Sequence, residues 1–69
     1  MKIYPNPATS QLFIEAPQGG ELLLFDLLGR PVKHQLLQSG TTLLDVSNLP
    51  EGVFVYRVGE VYGKVVVVR

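Results

Sequence analysis

Cysteine is missing from the 69 residues, which rules out disulfide staples. Its absence leaves the compartment open, since exported and cytosolic proteins both manage without it. An excess of either charge is missing too. Six basic and six acidic residues cancel without a run of one sign, so there is no basic stripe of the kind nucleic acid requires. Long apolar runs are also missing: residues 22–25 and 65–68 fall far below the roughly 20 residues of a membrane span. The amino terminus lacks the basic-then-apolar layout of a signal peptide. Strand-like residues follow Met1 at once, and the expectation is a single domain, residues 1–69, cut from a longer protein whose upstream part is absent. A chain of this length sits near the lower limit for folding alone and removes only about 60% of its unfolded surface. The apolar fraction of 46% suffices for one core.

What is present organises itself around residues 43–58. Leu44 and Val46 alternate with Asp45 on the way into a compact turn, and Phe54, Tyr56 and Val58 share one face on the way out. Inside the turn, Ser47 and Asn48 can bond back to the backbone, Pro50 fixes its own φ, and Gly52 supplies a positive φ at the exit. Leu49 is the one apolar residue within it and is expected to plug the open end of a core between two sheets.

The remaining segments read as strands. Lys2-Ile3-Tyr4 is an extended lead-in stopped by Pro5-Asn6-Pro7, which bars a helix. Residues 11–16 form a strand with Leu12 and Ile14 on one face, and residues 21–26 another with Leu22 and Leu24 inward. Leu27-Leu28-Gly29-Arg30 is a hairpin loop with Gly29 left-handed. Residues 31–37 make a more polar strand, with Val32 and Leu36 expected inward and Pro31 marking a sheet edge. After Ser39-Gly40 a strand over 41–46 enters the corner, residues 59–63 make the last turn, and residues 64–69 end the chain as a strand. Roughly seven short strands with Gly and Pro turns and no helix imply an all-β fold, an immunoglobulin-like antiparallel β-sandwich.

Reactive chemistry is sparse. His34 is the only histidine, between Lys33 and Gln35. A metal would need a second histidine or cysteine, or clustered carboxylates, so a solvated histidine and no metal or other cofactor are expected. Asp26 and Asp45 border loops, where carboxylates cap turns more often than they bind calcium. Ser10, Ser39 and Ser47 lie outside any nucleophile-elbow pattern, and the glycines lack the spacing of a phosphate cradle. No catalytic residue emerges and an enzyme is not expected. Phe54 and Tyr56 belong to the core, leaving Phe25 and Tyr62 as the aromatics best placed for exposure.

The ending is distinctive. Val65, Val66, Val67 and Val68 precede Arg69, a strand that at a sheet edge would template aggregation unless blunted by charge. Lys64 and Arg69 bracket it as candidate guards. Two readings stay open: a strand buried between both sheets, or one offered to a partner by strand addition. The second also allows self-association through exposed edges.

Four stretches together resemble the type A C-terminal sorting domain of the type IX (Por) secretion system. They are Tyr4-Pro5-Asn6-Pro7-Ala8 with Leu12-Phe13-Ile14, residues 24–32 around Phe25-Asp26 and Gly29, residues 45–54 from Asp45 to Phe54, and residues 63–69. They follow the family's order over essentially the whole chain. Phe54 stands where the family usually has tyrosine, and Leu23 at a position commonly polar. The resemblance implies a non-catalytic tag at the carboxyl end of a secreted protein of Bacteroidetes-type bacteria. The type IX translocon carries such a protein through periplasm and outer membrane to the cell surface or medium. A surface sortase then cuts the tag upstream of, or near, its start and attaches the passenger to lipopolysaccharide. By position, Lys64, Val65, Val66, Val67, Val68 and Arg69 match the family's terminal recognition segment. Pro5, Asn6 and Pro7 match its lead-in, Gly29 its hairpin loop, and Asp45, Leu49, Gly52 and Phe54 its corner. The alternative is an accessory immunoglobulin-like module that binds sugar or spaces the domains of a secreted enzyme, for which an exposed aromatic row is expected.

Overall fold

The computed structural model describes residues 1–69, which form seven strands and no helix: β1 (Lys2–Tyr4), β2 (Gln11–Ala16), β3 (Gly20–Phe25), β4 (Pro31–Leu37), β5 (Gly40–Asp45), β6 (Gly52–Val58) and β7 (Val61–Val67). Two antiparallel sheets result, β1-β2-β5 and β4-β3-β6-β7, the immunoglobulin-like sandwich that the alternation implies. Inward positions follow the two-residue period. Leu12, Ile14 and Ala16 of β2, Leu22 and Leu24 of β3, Leu44 of β5, Phe54 of β6, and Val65 and Val67 of β7 are all buried. Ala8, Leu37, Val46 and Leu49 complete the core, and Ile3, Val32, Tyr56 and Val58 pack against it. Leu49 closes the end of the sandwich, as its isolation in a polar turn implies. No polar side chain is buried, so the core is held by apolar burial without any desolvated group to satisfy.

Pro31 begins β4, the outermost strand of its sheet, where a missing N–H interrupts no ladder. Gly29 has φ +84° in the β3–β4 loop, a left-handed geometry that other residues resist.

Two sequence expectations fail. Leu36 points to solvent and is 66% exposed, while Leu37 is buried. Directly opposed residues of an antiparallel pair share a face. Leu22 lies across from Gln35 and Leu24 from Lys33, so 33, 35 and 37 take the inner side. The register then shifts between Leu24 and Phe25, leaving Val32 within the irregularity yet still against the core. The last turn is also shorter than expected. Val58 already pairs with Val61, so only Gly59 and Glu60 turn the chain, and Val61, Tyr62 and Gly63 belong to β7. Gly63 is a packing glycine: it lies opposite Tyr56, and a Cβ there would collide with Tyr56 Cε2, Cζ and Oη.

Candidate functional site

Strand register brings the four stretches that carry the resemblance to one end of the sandwich. Gln11 pairs with Asp45, Phe25 with Val55 and Gly52 with Val67. The lead-in, the β3–β4 loop, the corner and the last residues therefore share an end. The turns after Ala16, Leu37 and Val58 lie at the other. The larger cleft, about 310 Å³ between Gly20, Glu21, Arg57 and Gly59, is at that opposite end.

Of the terminal segment, Val65 and Val67 are fully buried, Val66 and Val68 are half-buried, and Lys64 is exposed. β6 occupies one side of β7. Its other edge is covered by the lead-in. Asn6 Nδ2 donates to the Lys64 carbonyl (3.0 Å) and the Val66 N–H donates to Asn6 Oδ1 (3.0 Å). Next along, the Ala8 N–H donates to the Val66 carbonyl and the Val68 N–H to the Ala8 carbonyl, both at 2.8 Å. Ala8 thus forms a parallel bridge with Val67, and its methyl is fully buried. Pro5 and Pro7, whose preceding peptide bonds are both cis, flank Asn6. They lack N–H groups, so the Asn6 side chain makes the bonds that a regular strand's backbone would make.

Arg69 is committed elsewhere than to guarding the edge. Its Nη2 donates to the carbonyls of Val46 (2.9 Å), Ser47 (3.2 Å) and Leu49, and its Nη1 to that of Thr9. The guanidinium fork suits such divergent acceptors. The corner it grips is shaped locally. Asp45 Oδ1 accepts from the Ser47 N–H (2.8 Å) and Oγ (2.6 Å), and the Leu49 N–H donates to the Val46 carbonyl (3.1 Å). Gly52 starts β6 with φ +156°, and Phe54 is buried two residues on.

Gly29 shares this end, but its loop bonds only within itself. Asp26 Oδ1 accepts from the N–H groups of Leu28 (2.9 Å) and Arg30 (3.0 Å), and Oδ2 pairs with Arg30 Nε (2.9 Å). Both aspartates therefore cap turns. The Arg30 backbone N–H holds the Asp26 carboxyl below its ordinary pKa, and the Ser47 hydroxyl does the same for Asp45. His34 makes an exposed pair with Glu21 (2.6 Å). No group of three or more metal-ligating side chains is assembled.

The exposed aromatics do not line up. Tyr4 stacks on Phe13 with centroids 5.5 Å apart, outside the first sheet. Tyr62 lies outside the second, where its parity opposes that of buried Val65. A hydrogen bond to Glu15 raises the Tyr4 phenol's pKa. What sequence reading missed is the part played by Asn6 and Ala8. The available signal was Ala8 itself, a lone small apolar residue within a turn-like stretch.

No curated protein and no solved structure matches the chain. Residues 2–68 match the family described as the secretion system C-terminal sorting domain. The chain belongs to that family, the sorting domains of type IX secretion.

Proposed function

We propose that this domain is the label by which type IX machinery exports a covalently linked upstream passenger across the outer membrane, after which a surface sortase removes it near its first residues. Membership of the family supports an export signal of this type. The observation that carries the finer reading is the convergence of lead-in, corner and terminal strand around residues 64–69. Within that segment the labour divides: Val65 and Val67 hold the core, and Arg69 holds the corner. Lys64, Val66 and Val68 remain as the side chains a translocon component reads.

The test fuses a reporter ahead of the domain in a type IX host and introduces Lys64→Glu with Val66→Ser, neither of which empties the core. The reporter is expected to accumulate in the periplasm while the purified domain melts as the parent does. Unchanged surface delivery by a folded variant would refute recognition through this segment. Mass spectrometry of the parent fusion examines cleavage, which predicts a shed fragment starting near residue 1. A surface reporter still carrying the intact domain would overturn that half of the proposal.

A further inference from the structure

The lead-in covers the β7 edge in an unusual way. β7 meets β6 through seven register pairs, from Gly52 with Val67 to Val58 with Val61. The lead-in meets β7 with one amide side chain, one backbone residue and a single buried methyl. Few apolar contacts and exposed hydrogen bonds mark segments that open locally, below the free energy of global unfolding. Beneath residues 6–8 lie three alternate edge groups of Lys64 and Val66 and the N–H of Val68, all aimed outward. Such a row is what an added strand pairs with.

We infer that residues 6–8 are a removable plug, closing in cis an edge of β7 that accepts an extended segment of a partner chain running parallel to it. The slot that holds Ala8 fully buried calls for a small side chain at that place in the partner. This deepens the proposed recognition of residues 64–69 and rests on it for its biological sense. It adds a condition: strand addition there follows release of Asn6 and Ala8. The added strand and the closed plug then compete for the same four edge groups of β7.

Amide hydrogen exchange of the 69-residue domain tests the idea without reference to export. Asn6→Ala removes two bonds to β7 and no core volume. The Val66 and Val68 amides are expected to exchange about tenfold faster. The Val65 and Val67 amides, which face β6, stay within about twofold of the parent. Val68 decides the matter, because its partner is Ala8 and not Asn6. Acceleration at Val66 alone overturns the plug, since residues 6–8 would not then open together. Equal acceleration along all of β7 also overturns it, since opening would then be global. Ser39→Ala, which removes a bond to the Pro17 carbonyl at the far end (2.7 Å), calibrates that global effect. A synthetic peptide of residues 4–10 at millimolar concentration should return protection to Val66 and Val68 in Asn6→Ala. No recovery overturns the accepting edge. Failure here with export still dependent on Lys64 and Val66 would place recognition on the sheet face and not on its edge.

Discussion

Replacing Arg69 with alanine separates what the terminal residue does for the fold from what it does for recognition. Four backbone carbonyls, those of Thr9, Val46, Ser47 and Leu49, lose the guanidinium together, and only that of Val46 keeps another donor, the Leu49 N–H. Water replaces the guanidinium readily at the exposed Thr9 and Ser47 contacts. The Val46 and Leu49 contacts are part-buried, and hydrogen bonds to a charged donor contribute about 1.5–3 kcal/mol each when water is excluded. Counting the part-buried pair at the low end and discounting it for partial hydration gives a loss of about 2 kcal/mol. In a domain of this size that lowers Tm by about 8–16 °C. Thermal unfolding followed by circular dichroism reads the shift directly. Arg69→Lys should recover less than half of it, because one compact ammonium cannot serve acceptors spread across a fork. The difference should persist at about 0.5 M salt, since the acceptors are uncharged dipoles in close contact and screening acts mainly on separated charges. A Tm within about 2 °C of the parent would mean that these contacts form no part of the fold's support.

Gly63→Ala should destabilise by about 1–3 kcal/mol through overpacking against Tyr56. In a Tyr56→Leu background the same substitution should become neutral or mildly stabilising, a reversal that a double-mutant cycle in urea would register. Leu24→Ala should cost about 3 kcal/mol, whereas Leu36→Ala should stay within about 0.5 kcal/mol; equal costs would contradict the β4 register. For pH, Asp26 and Asp45 have lowered pKa values when folded, so their stabilisation is present above about pH 4 and fades as acid protonates them. Tyr4 is raised, so its contribution is complete below about pH 10 and is lost above it as the phenol ionises. Tm should therefore fall on acidification below about pH 4 and again above about pH 10; a Tm unmoved across both limits would contradict these assignments.

The strands were legible wherever alternation was bounded by Gly or Pro. β2 was read at its observed limits because Leu12 and Ile14 sit between the prolines of the lead-in and Pro17. Leu36 was misread because adjacent leucines at 36 and 37 leave the phase of β4 open, and that phase is set by β3. Gly63 reads as a turn residue because sequence does not tell a glycine that bends the chain from one that makes room for a ring. The terminal strand was visible from its valines, but its surroundings were not. Asn6 and Ala8 reach β7 across about 60 residues of chain, and no local pattern encodes a partner at that separation. Arg69 was noticed for its charge, whereas its use is the geometry of its donors.

The parallel bridge between Ala8 and Val67 has a mechanical consequence. Tension applied between residues 1 and 69 pulls these two segments past each other along their common axis. The bonds of Asn6 and Ala8 then share the load and yield together, where an antiparallel hairpin pulled at its open end would unzip one rung at a time. Single-molecule pulling should find the rupture force lowered far more by Asn6→Ala than by Ser39→Ala, and equal losses would deny the seam this role. A seam that adds modestly to equilibrium stability thus becomes the principal resistance to being stretched.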